Sequence, residues 1–329
     1  MKIRAIIIGA LLLGAHPGAW GQGPFCGGVG TPGCNAIRYD SSIVAAWATG
    51  CVVERGPVDI VNPDGPRARY GSDSMGIGPA STSTTAAVSL GDGGVATLTF
   101  DQPIRNVQGP DFAVFENPFN DTFLELAFVE VSSDGQRFVR FPSTSLTPVA
   151  TQVGTNGSVD PTMINNLAGK YRVGYGTPFD LDELCDSVGI DLDNITHVRL
   201  IDVVGTIDPE YATRDAFGHI VNDPYPTRDT VYASGGFDLT GVAVLFASVG
   251  IPSAETCREM SLRVWPNPTI EYINVTLGRS ADAVLFDHSG RFVGRYKLNE
   301  GVNTIVLGDF PSGVYILRVG ERNVKIVKM

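Results

Sequence analysis

Four residues at or inside apolar runs have side chains that could hold a cation. Glu116-Asn117 follows the run Phe112 to Phe115 and precedes Pro118, which puts two oxygen-bearing side chains at a strand end. Asp202 lies within Val198-Arg199-Leu200-Ile201-Asp202-Val203-Val204. A carboxylate among such neighbours is costly unless it is paired or bound to a metal. Asp238 enters the run Phe237 to Phe246 behind Gly235-Gly236, two glycines that allow a close backbone approach. Glu116, Asn117, Asp202 and Asp238 are therefore the candidate metal ligands, and calcium, which takes hard oxygen donors, is the expected ion. Their spacing matches no regular calcium loop. The competing readings are a turn stabilised by Asn117 and an ion pair from Asp202 to Arg199 or Arg140.

Trp47, Tyr211, Tyr225 and Phe237 are candidate ligand-binding rings, because aromatic faces can stack on a sugar. Loop aromatics equally serve to pin a loop to its sandwich. Catalytic signatures are missing: there is no His-Glu-x-x-His, no Gly-x-Ser-x-Gly and no phosphate-binding glycine loop. No catalytic residue is assigned. His197 alternates with strand residues and reads as structural. His219 stands in an acidic loop with Asp215 and Asp223, which suits either a metal or a solvated loop. A glycosidase built on two carboxylates is the alternative function, since its acids need closeness in space rather than in sequence.

These residues need strands to place them. Val95 to Phe100, Phe112 to Phe115, His197 to Val204 and Phe237 to Phe246 carry strand patterns. Leu124 to Ser132 is apolar on both faces and reads as a central strand, with Ser133-Asp134-Gly135 turning into Phe138 to Phe141 as a hairpin. Asp180 and Glu183 predict one short helix, with Leu181, Leu184, Cys185 and Val188 at helical spacing. Gly205 to Gly236 is a long connection rich in Asp, Pro and aromatics, including Phe217 and Tyr232, and such length is usually functional or disordered.

The ends carry other information. Lys2 and Arg4 lead into an apolar run from Ala5 to Ala15, and Ala19-Trp20-Gly21 fits a cleavage site, so residues 1–21 read as a secretory signal with Gln22 as the mature start. That run is too short to anchor in a bilayer, and no later segment is long enough for a transmembrane span. Met1 to Gly21 carries +2 and Cys257 to Met329 carries +3 of a total of −11, which leaves −16 between them. A field of that sign repels nucleic acid and attracts cations. The five cysteines (Cys26, Cys34, Cys51, Cys185, Cys257) would meet an oxidising compartment, and Cys26 with Cys34 could bridge locally.

The tail resembles a type IX secretion C-terminal sorting domain of type A. Val264-Trp265-Pro266-Asn267-Pro268 matches that family's opening block, and Asp287-His288-Ser289-Gly290-Arg291 its central turn. Pro311 to Val319 matches its Gly-x-Tyr strand, and Lys325-Ile326-Val327-Lys328 its basic end. The resemblance implies recognition by the outer-membrane secretion machinery. Val129 to Gly135, followed by Phe138, is similar to the strand-turn-strand of galactose-binding-like, discoidin-type jelly rolls. The expected fold is all-β: a jelly-roll-like β-sandwich body with one short helix over 22–256, then a small antiparallel β-sandwich sorting domain over 257–329. The expected function is a secreted or cell-surface binding or adhesion module, stabilised by calcium, with an extracellular glycan as a candidate ligand. A purely structural surface protein is a third reading.

Overall fold

The computed structural model describes residues 25–227, 233–246, 262–265, 267, 269–277, 280–319 and 322–329. The expected signal, the mature start at Gln22, Tyr232, Cys257 and the boundary between body and tail lie outside these residues.

Among the described residues, a two-stranded sheet pairs Thr144–Ser145 with Ile164–Asn165, and two large antiparallel sheets make most of the body. One runs in the order Ile37–Arg38, Tyr175–Phe179, Phe112–Glu116, Asp238–Leu245, Val44–Trp47, with Val88–Ser89 pairing to the start of Asp238–Leu245. The other runs Gly50–Glu54, Val95–Ile104, Ile195–Asp202, Ala127–Ser132, Val139–Arg140. The main core lies between them, where Phe112, Val114, Leu239 and Val242 meet Leu98, Val129, Val198 and Leu200, all nearly inaccessible to water. Ala127–Ser132 is buried at every residue. Its second face is covered by a separate cluster in which Leu124, Leu126 and Phe128 pack on Ile164, Leu167 and Val221. That double burial is what the run of apolar residues on both faces predicts. The Ser133-Asp134-Gly135 hairpin also forms, with Glu130 opposite Arg140 and Val131 opposite Val139.

The expected helix is shorter than its sequence pattern. Leu181–Leu184 is a single 3-10 turn capped by the Asp180 side chain, which accepts the Asp182 amide at 2.9 Å. Glu183 does not return to its cap but accepts from the Asn166 side-chain amide. Val188 is largely exposed, and the next residue, Gly189, takes φ of +79°. Only one apolar turn had a surface to pack on, so the helix did not propagate.

The tail has a core of its own, built from Ile273, Val275, Leu285, Leu317, Ile326 and neighbours. Arg263–Trp265, Tyr272–Leu277 and Gly301–Val306 form one sheet. Phe292–Leu298, Ala281–Asp287, Gly313–Val319 and Arg322–Lys328 form the other. Among the described residues no helix is long and apolar enough to cross a membrane.

Candidate functional site

Antiparallel pairing sets the end of one strand beside the start of the next. Glu116 closes Phe112–Glu116, and Asp238 opens the neighbouring strand, with Leu239 registered on Glu116. In the other sheet Asp202 closes Ile195–Asp202 opposite Ala127, the first residue of Ala127–Ser132. Glu125 stands two residues before that start. Strand order alone thus carries four acids to strand ends, in pairs of neighbouring strands.

These acids differ in how they are satisfied. Asp202 is nearly inaccessible, with Oδ2 accepting the Gly93 amide at 2.9 Å and Oδ1 the Phe237 amide at 2.6 Å. Burial, and after it the charge of Asp92, raises its pKa well above the ordinary value. Arg199 and Arg140, the alternative partners for Asp202, both bind Glu130 instead, each with Nε 2.8 Å from its carboxylate. Residues three apart on a strand face opposite ways, so Arg199 cannot turn to Asp202.

Asp238 accepts from the Ser89 hydroxyl and, at 3.1 Å, from Asn117 Nδ2. Burial pushes it up to about 6, against the lowering effect of those two donors. Asn117 also donates to the Thr84 carbonyl at 2.8 Å, so its amide nitrogen, not its oxygen, faces Asp238.

Glu116 is 1% exposed, and neither of its carboxylate oxygens has a hydrogen-bond partner. Burial first and Asp238 second raise its pKa well above the ordinary value. The amides of Asn117 and Asp238 oppose that rise but make no hydrogen bond of normal geometry with the carboxylate.

Glu125 is the acid that the sequence reading passed over. It is buried, its carboxylate has no hydrogen-bond or ion-pair partner among the described residues, and it lines a cavity of about 370 Å³ with Asp238. Phe123, Thr155, Asn156, Thr227, Ser234 and the backbone of Gly235 and Gly236 complete the lining. Burial, then the charges of Asp238, Glu116, Asp223 and Asp202, raise Glu125 well above the ordinary value. The signal was available: Glu125 interrupts Phe123-Leu124-Glu125-Leu126 as Asp202 interrupts its own strand. Among the described residues no three His, Cys, Asp or Glu side chains form a ready-made metal centre.

Gly236 couples the cavity to Asp202. It adopts φ of +64°, and a Cβ there would lie 2.3 Å from Asp202 Oδ1. Only glycine fits both the backbone conformation and the approach.

The expected ligand rings do not share one surface. Trp47 lines a separate groove of about 660 Å³ with Ile77, Phe100, Asp101 and Gln102, and its ring lies 5.2 Å from Phe115. Tyr225 donates to Asp59 Oδ1 at 3.0 Å, and Tyr211 is half-buried beside Glu210. Phe237 is inaccessible and packs in the main core, so its ring has no face to offer a ligand. His219 Nδ1 lies 2.9 Å from the buried Asp215, which also accepts the Ser145 amide at 3.0 Å. Asp223 turns away from that pair to accept the Leu126 amide at 2.9 Å.

In the tail, the Asn267 side chain clamps the last strand, donating to the Lys325 carbonyl at 2.6 Å and accepting the Val327 amide at 2.8 Å. Asp287 closes the central turn by accepting the Ser289 and Arg291 amides, both at 3.0 Å. Residues 263–329 match the family described as a secretion system C-terminal sorting domain. The tail is a type IX secretion sorting domain. The sorting domain marks the protein for export across the outer membrane, to the cell surface or the medium, through the secretion machinery that it engages.

No curated protein matches the chain. Similar solved structures include the β-glucuronidase of Ruminococcus gnavus in complex with uronic isofagomine, at 10% identity and a TM-score of 0.22. That match covers 71% of this chain and 34% of the glucuronidase. The BSP domain of a biofilm associated protein is similar at 11% identity and a TM-score of 0.19, over 88% of this chain and 53% of that one. The chain thus spans about a third to a half of these proteins, and likeness at such TM-scores carries no functional argument.

Proposed function

We propose that the exported body is a binding module of the cell surface or medium, in which a calcium ion neutralises Glu116, Glu125 and Asp238 and the cavity beside them takes an extracellular glycan. The observation that carries this reading is the pair of buried carboxylates, Glu116 and Glu125, that have no hydrogen-bond or ion-pair partner among the described residues. A buried charge left unpaired is costly, and a divalent cation is the compact means of compensating several at once. Calcium accepts six to eight oxygens, including carbonyls and water, so two or three carboxylates beside hydroxyl-bearing Thr227 and Ser234 suit it. Asp202, held by two amides, and Asn117, facing the cluster with its nitrogen, support those ligands rather than joining them.

The cavity wall of amide, hydroxyl and one phenyl ring suits a polyhydroxylated ligand, and the resemblance of the Val129 to Phe138 hairpin to galactose-binding-like modules points the same way. A glycan array probed with the purified body tests this reading. Binding that needs calcium and is lost in Glu125→Ala is expected, and equal binding in calcium and chelator would refute the joint site.

One observation favours a second reading, hydrolysis. Burial raises Glu125 well above its ordinary pKa and Asp238 to about 6, and both line one cavity; a carboxyl kept protonated beside a second carboxyl is the pairing a glycosidase uses. Turnover of chromogenic glycosides that is abolished by Glu125→Gln would establish it in place of simple binding.

A further inference from the structure

We propose that Cys26 and Cys34 form a disulfide in the exported protein, closing the first segment of the body onto itself. Two successive turns fold this segment back, with the Thr31 amide donating to the Gly28 carbonyl at 3.2 Å and the Cys34 amide to the Thr31 carbonyl at 3.1 Å. Gly30 and Gly33 supply the positive φ that such turns require, +85° and +78°. Cys26 Sγ then lies 3.2 Å from Oδ1 of Asn35, the residue next to Cys34, and 3.1 Å from the Tyr171 hydroxyl. The Cys34 thiol borders that same hydroxyl.

The surroundings also favour reaction. Lys170, 3% exposed, holds its ammonium 3.4 Å from Cys26 Sγ and 2.8 Å from the Ile164 carbonyl. Burial pushes the Cys26 thiol up, but the Tyr171 hydroxyl and the Lys170 ammonium outweigh it and hold the thiol below its ordinary value. Lowered, half-exposed thiols are the ones that enter exchange. Of the other described cysteines, Cys51 packs against Gly76 and Leu239, with burial pushing it up to about 12, and Cys185 donates to Asp182.

Export carries the chain through an oxidising compartment. There the Cys26 thiolate attacks a disulfide of a thiol–disulfide exchange protein, and Cys34 then displaces that protein's thiolate from the mixed disulfide. Two thiols lose two protons and two electrons, and the oxidant's disulfide becomes a dithiol.

The test is peptide mapping of the full-length protein recovered after export, alkylated before reduction. A Cys26–Cys34 linked peptide, lighter by two hydrogens than the reduced pair, is the expected result. Alkylation of both thiols without reduction, or linkage of either one to Cys257, would overturn the assignment. In reduced Cys34→Ser protein treated with oxidised glutathione, one glutathionyl group should remain on Cys26 as a mixed disulfide while the other leaves as glutathione, because the resolving thiol is gone. A Cys26 that takes up no glutathione would count equally against the proposal.

Discussion

Replacing Glu116 with leucine should stabilise the body when calcium is chelated, although Glu116 is 1% exposed and sits in a strand. Leucine is of similar volume, and it removes two carboxylate oxygens that have no partner. A buried polar group left unsatisfied costs about 1–3 kcal/mol, and more when charged. For a domain of this size each kcal/mol moves the midpoint by about 2–4 °C, so a rise of about 2–12 °C is expected. The control is the same substitution at Glu130, which is also buried but is bound by Arg140 and Arg199. Removing one partner of a fully buried pair costs about 3–5 kcal/mol; the arginines here are partly exposed, so Glu130→Leu should move the midpoint the other way by less than that. Thermal unfolding in excess chelator, followed by far-ultraviolet circular dichroism, compares the three proteins. If Glu116→Leu loses stability as Glu130→Leu does, Glu116 has a partner in the folded protein, and the argument from an unpaired carboxylate fails.

Other consequences follow from single positions. Gly236→Ala should cost about 2.5–5 kcal/mol, because it adds left-handed strain of about 1–2 kcal/mol and drives Asp202 Oδ1 from the Phe237 amide, a loss of about 1.5–3 kcal/mol; urea midpoints read it, and an unchanged midpoint contradicts it. Asp111, pushed up to about 8 by burial, contributes stability that is complete below about pH 4 and lost as pH rises through about 8. From pH 4.5 to 8.5 the chelated body should therefore lose more stability in urea than Asp111→Asn does, and parallel profiles would place the Asp111 pKa near its ordinary value. Deleting residues 262–329 should strand the protein in the periplasm with its body folded, since the two cores share no residue; cell fractionation and limited proteolysis report both halves of that expectation.

The sequence revealed the long central strands because they are buried on alternating or both faces, as with Ala127–Ser132 and Ile195–Asp202. It did not reveal Val44–Trp47 and Gly50–Glu54, each at the end of a sheet. Their burial is only partial, so alanines and a glycine suffice there and leave little pattern to read. The helix over Asp180 to Val188 was over-read because a cap and one apolar turn look alike for a 3-10 turn and an α-helix. Three of the four candidate metal residues do meet: Glu116 and Asp238 through strand register, Asn117 through its amide. Asp202 was legible as buried, but its solution, two backbone amides from distant loops, depends on tertiary placement that no local pattern encodes.

The most direct test of the calcium site is the thermal midpoint of the purified body in millimolar calcium, magnesium or chelator at matched ionic strength. A cation bound only to the folded state at 100 times its dissociation constant adds about 2.7 kcal/mol, which corresponds to about 5–11 °C here. Calcium should raise the native body by that amount, magnesium by less because of its stricter octahedral demand, and neither should move Glu116→Leu. Equal midpoints in calcium and chelator, or an equal rise with both ions, would contradict a calcium site at Glu116, Glu125 and Asp238.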